Sequence, residues 1–346
     1  MSPGNPDTGR PLGIGVLGAA DIAWRRTIPA IQRCDRLRLV AVASRAPERA
    51  AAFAGRFGCE PVTGYERLLE RDDVEAVYIP LPNALHEQWA ATALRAGKHV
   101  LVEKSLNADA AGAAALARTA ADGGLAFMEN FTFLHHGQHD RVRELVAEGA
   151  IGTPRAFSAS FGIPPADLSL IRYDPELGGG ALLETGTYTV RAAQLFLGPD
   201  AEVAGAVLRH DPRTGVDVAG SALLVDGQGV TAQCDFGFTH LYRCTYAIWG
   251  SAGRISLDWA FTPPPEARPV LRLERAGVRE EHVLPAADQF LGALTAFAGA
   301  CADPVKHEEH GAAAVRQAAL LESIKRQAHV VPPQCQTPAR PDGRRP

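Results

Sequence analysis

From Pro11 to about Phe133 the chain alternates short apolar runs with segments of helical periodicity, and this alternation is the strongest constraint on its fold. Leu12–Leu17, Leu37–Ala43, Ala76–Ile79, His99–Val102 and Leu125–Met128 read as strands. Between them Ile22–Cys34, Pro47–Phe57, Tyr65–Glu70, Glu87–Ala96 and Ala108–Asp122 read as helices. Strands separated by helices pair in parallel, and a sheet covered by helices on both faces needs strands that are apolar throughout. Past Gly152 the period changes to two. Phe157, Ala159, Phe161 and Ile163 alternate with other residues, as do Val230, Ala232, Cys234, Phe236 and Phe238, which reads as strands with one face on a core. Gly-Ser-Ala-Gly at 250–253 fits a hairpin turn, and two late helices carry Phe290, Leu294, Phe297, Cys301 and then Leu320, Leu321, Ile324.

The expected fold is therefore α/β. A doubly wound parallel sheet of the Rossmann type occupies 11–131, and an α+β domain with a large, mostly antiparallel open sheet occupies 132–331. The ends, 1–10 and 332–346, are Pro-, Gly- and Arg-rich and read as disordered tails. A chain of 346 residues is long enough for two such cores. Its net charge of −4 gives no footprint for nucleic acid. No run approaches the roughly 20 apolar residues of a membrane span, and the N-terminus lacks a secretory apolar core, so the cytoplasm is the expected location. Cys34, Cys59, Cys234, Cys244, Cys301 and Cys335 are scattered without zinc-ligand spacing, so reduced thiols and no metal are expected.

Gly13-Ile14-Gly15-Val16-Leu17-Gly18 matches the dinucleotide pattern G-x-G-x-x-G, but in that register two glycines fall inside the first strand. The loop must follow the strand and open the helix, where free backbone N–H groups meet a pyrophosphate. Gly18, Ala19, Ala20, Asp21 and Ile22 satisfy that position, with alanine as the smallest replacement for the later glycines. A plain strand–turn–helix is the alternative. At the end of the second strand, Ser44-Arg45 stands where an NAD site carries a carboxylate for the ribose hydroxyls. A hydroxyl and a guanidinium can hold a 2′-phosphate that a carboxylate would repel, so NADP(H) is favoured over a merely solvated arginine.

Glu103-Lys104 follows a strand directly and so lies where open α/β sheets bind ligands. Gly178-Gly179-Gly180 leads into Glu184 and Tyr188, whose four-residue spacing puts them on one helix face. Lys104 and Tyr188 are thereby candidates for chemistry, with a surface strand-end lysine and a packed aromatic on an amphipathic helix as the alternatives.

These stretches, with Pro80-Leu81-Pro82-Asn83, His86 and Ala96-Gly97-Lys98-His99-Val100, resemble the glucose–fructose oxidoreductase/inositol dehydrogenase family over about Leu12 to Gln327. The chain is more closely similar to the nucleotide-sugar 3-ketoreductases of deoxysugar pathways. That resemblance rests on Ala20 to Arg26, Met128-Glu129-Asn130-Phe131, Phe133-Leu134-His135-His136, Ile171-Arg172-Tyr173 and Gly-Val-Thr-Ala-Gln at 229–233. It implies that Ser44, Arg45, Tyr65, Leu81, His86 and Glu103 line the cofactor, with Arg172 and Glu184 beside it. It implies Lys104 and Tyr188 at the reacting carbonyl, where hydride transfer to a ketone would create an alkoxide that Tyr188 can protonate while Lys104 stabilises the charge and draws the phenol's pKa down from about 10. On the same resemblance Arg25, Asn130 and His135 are expected toward the substrate. It also implies reduction of the C3 ketone of a nucleotide-linked, dTDP-type keto-deoxysugar, in the making of a glycosylated antibiotic or other natural product. Two positions depart from the family pattern: Ser105 replaces the proline of Glu-Lys-Pro, and Glu184 replaces aspartate.

For Arg25 a solvated helix position stands beside contact with the diphosphate. For His135, His136 and His139, loop and helix-start roles stand beside substrate contact. A dehydrogenase of a free sugar, polyol or dihydrodiol is the alternative function, and a non-enzymatic cofactor-binding regulator the third. Apolar strands such as Ala222-Leu223-Leu224-Val225 lead us to expect a homodimer or homotetramer assembled through the second sheet.

Overall fold

The computed structural model describes residues 10–107 and 109–331, so the expected tails, except Arg10, and also Ala108 and Cys335 lie outside the described residues. Strands β1 (Leu12–Leu17), β2 (Leu37–Ser44), β3 (Glu60–Thr63), β4 (Ala76–Ile79), β5 (His99–Glu103) and β6 (Phe127–Asn130) form one six-stranded sheet in the order β3-β2-β1-β4-β5-β6. Every pair in it is parallel. The order reverses between β1 and β4, which opens a crevice at the carboxyl ends of the strands.

Helices α1 (Ile28–Ile31), α2 (Pro47–Phe57), α3 (Tyr65–Leu69), α4 (His86–Arg95) and α5 (Ala110–Asp122) cover this sheet on both faces. Ile14 and Val16 of β1 pack with Ile28, Phe53 and Phe57 on one side. Leu17 packs with Leu68, Leu94 and Leu116 on the other. Each such side chain contributes about 1.5–3 kcal/mol by full burial. Three details differ from the sequence reading. The edge strand β3 was not expected, β6 starts at Phe127 rather than Leu125, and the first helix opens as a π-helical turn, Ala23–Thr27, before α1.

Helix α6 (Gln138–Ala147) leads into the second sheet. Its strands are β7 (Pro154–Gly162), β8 (Glu202–His210), β9 (Asp217–Val225), β10 (Thr231–Gly237), β11 (Arg243–Gly250), β12 (Arg254–Asp258), β13 (Val270–Arg275), β14 (Val278–Val283) and β15 (Ala328–Val331). They lie in the order β14-β13-β12-β11-β7-β10-β9-β8-β15, antiparallel except where β7 meets β10 and β8 meets β15. Phe157, Ala159 and Phe161 of β7 face the core, together with Cys234 and Phe236 of β10. Helix α7 (Thr187–Leu197) packs on that inner face through Val190, Ala193 and Leu197. The expected turn at 250–253 joins β11 and β12.

The two last helices, α8 (Gln289–Cys301) and α9 (Pro304–Gln327), return to the first sheet. Leu294, Phe297 and Ala300 join the cluster around Ile14 and Ile28, while Ala314 and Ala318 join the one around Leu17 and Leu116. Asp288 and Asp303 cap them by accepting from the first backbone N–H groups. No helix among the described residues is long and apolar enough to cross a membrane.

Candidate active site

The turn after β1 is built around Gly18, whose φ of +127° is open to glycine, and a Cβ there would lie 2.8 Å from Leu81. Its N–H donates to the Ala43 carbonyl at 3.0 Å. Ala19 is buried, Ala20 half-buried and Asp21 exposed, and Ile22 leads into the π-helical turn. Gly13 belongs to strand packing instead, since a Cβ there would meet the Asp73 carbonyl at 2.2 Å. Ser44 ends β2 with its Oγ accepting from the Ala46 N–H at 3.2 Å, and Arg45 follows with its side chain exposed. Arg49, which sequence reasoning passed over, donates to the Ala19 carbonyl at 2.8 Å and brings a second guanidinium to the same loop. Free N–H groups at a helix start, a glycine cradle and two arginines fit an NADP pyrophosphate and 2′-phosphate. Arg25 is turned back onto Asp21, with its Nε 2.8 Å from Oδ2, and both side chains are largely exposed.

Lys104 stands one residue past β5, and its buried ammonium lies 3.3 Å from Glu184 Oε2. Glu184 sits in a π-helical turn, Leu182–Gly186, that opens α7. Asp217 of β9 caps this turn by accepting from the Leu182 N–H at 2.6 Å. Such turns insert one extra residue and re-aim the side chains around them. Tyr188 follows in the first turn of α7, with Lys104 Nζ 5.2 Å from its ring centroid. Phe131, Phe133, Phe161 and Phe261 surround that ring at 5.3–5.9 Å.

Burial works against the Lys104 charge, but Glu184, Tyr188 and Glu103 outweigh it and hold the ammonium's pKa above its usual value. Burial likewise opposes the Glu184 carboxylate, and Lys104 with Arg172 pulls its pKa below the usual range. The pair is charged at neutral pH. For Tyr188 the outcome corrects the expectation of a lowered phenol pKa. Burial in the aromatic box pushes it up to about 12, although Lys104 draws it down. The hydroxyl therefore stays protonated at neutral pH, which is the state a proton donor needs.

Beneath Lys104 lies a buried network. Glu103 accepts from Tyr78 Oη and from Asn130 Nδ2, each at 2.7 Å, and Thr27 Oγ1 donates to Tyr78 Oη at 3.0 Å. Burial raises the Glu103 pKa, while Tyr78, Lys104 and Asn130 draw it back. Asn130 is buried and spends its amide on Glu103. His86 is buried between two carbonyls, Nδ1 2.7 Å from Ser105 O and Nε2 2.6 Å from Leu81 O. Burial holds its pKa down at about 4, although both carbonyls favour the charged ring.

Asn83 donates to the Gly178 carbonyl at 3.0 Å and so ties the Pro80–Asn83 stretch to the glycine run. Tyr65 packs edge-on against Trp89, 4.9 Å between ring centroids. Arg172 stacks over Phe238 at 5.6 Å. His135 lies against α8, where a Cβ at Gly292 would meet its carbonyl at 2.6 Å, and its titratable neighbours are His310, Arg191 and Asp140. His139 is buried with Nδ1 2.9 Å from Tyr246 Oη, and His136 Nδ1 accepts from the Gln138 N–H at 3.2 Å. Among the described residues no three His, Cys, Asp or Glu side chains gather as metal ligands.

The geometry thus joins Lys104, Glu184 and Tyr188 above the buried pair Glu103 and Asn130, while the Gly18 loop lies at the topological switch against Leu81. Tyr78, Arg49 and Asp217 are the partners that sequence reasoning missed. An interior tyrosine in a fully apolar strand is the only signal Tyr78 offered.

Residues 12–131 match the model of an oxidoreductase family with an NAD-binding Rossmann fold, and residues 139–256 match the GFO/IDH/MocA C-terminal domain. A dTDP-3,4-didehydro-2,6-dideoxy-α-D-glucose 3-reductase from Actinomadura kijaniata is 50% identical over 93% of this chain and 97% of its own. A D-xylose 1-dehydrogenase (NADP(+)) from Haloferax volcanii is 36% identical over 83% of this chain and 88% of its own. A crystal structure of a 3-ketoreductase from A. kijaniata with NADP and TDP-benzene superposes with a TM-score of 0.89 at 49% identity, covering 94% of this chain and all of the other. With both halves of the chain matched and the crevice built as described, this protein belongs to the GFO/IDH/MocA oxidoreductase family.

Proposed function

We propose that the protein is an NADPH-dependent reductase of the C3 ketone of a dTDP-linked keto-deoxysugar, working in the cytoplasm on the route to a glycosylated natural product. The observation that carries this reading is Lys104 and Tyr188 held together at the carboxyl end of β5, beside a loop suited to a phosphorylated dinucleotide. The likeness to the A. kijaniata ketoreductase supports the same substrate class.

Bound at the Gly18 loop, NADPH supplies the hydride. The rest is the chain's own work. Arg45 and Arg49 would hold the 2′-phosphate, Ser44 would add a hydroxyl, and Ala19 to Ile22 would offer N–H groups to the pyrophosphate. Tyr188 Oη gives its proton to the carbonyl oxygen as that oxygen gains charge. The Lys104 ammonium then stabilises the phenolate left behind, and Glu184 keeps the ammonium in place. The aromatic box excludes water from this exchange.

The exposed face of the second sheet carries Trp249, Leu223 and Val207, which are 65%, 43% and 42% exposed. A sheet face of this kind supports a homodimer or homotetramer assembled through it.

The test is turnover of NADPH with dTDP-3,4-didehydro-2,6-dideoxy-α-D-glucose, with the product's C3 hydroxyl identified by NMR. Oxidation of free sugars or polyols with NADP+, and none of the nucleotide-linked ketone reduced, would replace this reading by a sugar dehydrogenase.

A further inference from the structure

Ser105 has no exposed surface, and its hydroxyl donates to the Leu183 carbonyl at 2.9 Å, across 78 positions of sequence. A serine hydroxyl more commonly bonds backbone a few residues away. Here it reaches the other sheet's helix. Ser105 follows Lys104 and Leu183 precedes Glu184, so the bond joins the residues next to both members of the ion pair. The ion pair itself is long, at 3.3 Å, and the Glu184 side chain is 33% exposed, so water competes for it. The Ser105 bond is dry. Two further contacts fix the same segment: the Ser105 carbonyl lies 2.7 Å from His86 Nδ1, and the Leu106 N–H donates to Glu129 Oε1 at 2.9 Å.

We infer that Ser105 is a positioning residue, whose hydroxyl locks the lysine loop of the first sheet onto the π-helical turn before Tyr188. It thereby sets the separation of Lys104 from Tyr188. It touches no reacting atom, and it takes the place of the proline that would otherwise stiffen the turn after the lysine. The inference rests on Lys104 and Tyr188 being the reacting pair.

The experiment uses the full chain with NADPH and the dTDP-linked ketone, and compares Ser105→Ala, Lys104→Ala, Tyr188→Phe and the Ser105→Ala/Tyr188→Phe double variant. Displacing a catalytic group by about 1 Å costs about 100-fold, so Ser105→Ala should lower kcat roughly 10- to 100-fold. NADPH affinity should stay within about twofold, because the hydroxyl spends its bond on the Leu183 carbonyl and not on the Gly18 loop, Arg45 or Arg49. The alkaline limb of the kcat/KM profile should move upward as the lysine's hold on the phenol loosens. In the Tyr188→Phe background the same change should cost far less, since both act on one step. Unchanged kcat in Ser105→Ala, beside crippled Lys104→Ala and Tyr188→Phe, would overturn the positioning role alone. An equal fractional loss in both backgrounds would make Ser105 an ordinary core residue. Full activity in Lys104→Ala and Tyr188→Phe would instead remove the pair, and the role of Ser105 with it.

Discussion

The Lys104 ammonium lies over the face of the Tyr188 ring, 5.2 Å from its centroid. A cation over an aromatic face is attracted by the ring and also stabilises negative charge that develops on its oxygen. Tyr188→Phe keeps the ring, its aromatic neighbours and the cation contact while removing the proton. Turnover should fall by roughly 10²- to 10⁴-fold with NADPH binding unchanged, measured by steady-state rates and fluorescence titration. Lys104→Ala should also lose activity, and the double variant should lose less than the two factors multiplied.

Cofactor choice is the second outcome to check. Arg45 is exposed at the end of β2, and Arg49 is partly engaged by the Ala19 carbonyl. Arg45→Ala should weaken NADPH by about 1.5–3 kcal/mol while leaving NADH nearly unaffected. Calorimetric titration of both cofactors would show it. Equal affinity of the unmodified protein for NADPH and NADH would contradict the assignment.

Glu129 gives a prediction about pH. Burial raises its carboxyl pKa to about 7, although the Leu106 N–H, Arg191 and Lys104 oppose the rise and Glu103 adds to it. The folded chain thus holds this proton up to about pH 7, whereas the unfolded chain releases it near 4.5. The stability it contributes is full below pH 4.5 and is lost as pH rises through 7. Glu129→Gln retains an acceptor for Leu106 and cannot ionise. The variant should therefore gain on the parent between those limits, by on the order of 3 kcal/mol. Denaturant midpoints across that range, taken as the difference between the two proteins, isolate this group from the histidines.

The open face of the second sheet sets the fourth. Replacing Trp249 and Leu223 together with glutamate puts charge on strands β11 and β9 without touching the inner core. Sedimentation velocity should show the parent as a dimer or larger, and the variant as monomer. A monomeric parent at micromolar concentration would count against assembly through this face.

The first sheet was legible because its inner strands are apolar on both faces, as Val100, Leu101 and Val102 of β5 are. Edge strand β3 was not, since Glu60, Pro61 and Thr63 are exposed and the strand carries no apolar run. The shift of β6 has a related cause. Its last residues, Glu129 and Asn130, turn polar toward the site, so hydrophobicity places the strand too early. The π-helical turns at Ala23–Thr27 and Leu182–Gly186 leave no trace in a periodicity of 3.6. Lys104, Glu184 and Tyr188 could be paired from strand-end position and spacing. The direction of the Tyr188 pKa could not, because the box that dehydrates it draws on Phe131, Phe161 and Phe261 from three separate segments. The bond from Ser105 to Leu183 was equally out of reach, since nothing local marks a partner 78 positions away.

Helices α8 and α9 come last in sequence, yet they seal the two faces of the sheet that comes first. A fragment ending at residue 131 would lose the helices that complete the cluster of Ile28 and Ile31 on one side and that of Ala113 and Leu116 on the other. The cofactor half is therefore not a detachable cassette. A chimera that trades substrate halves between relatives must make its cuts twice, once before α6 and once before α8, and rejoin β15 to the edge of the incoming sheet. The spatial seam and the genetic one do not coincide, and recombination at a single crossover would inherit a wound on whichever face it failed to close.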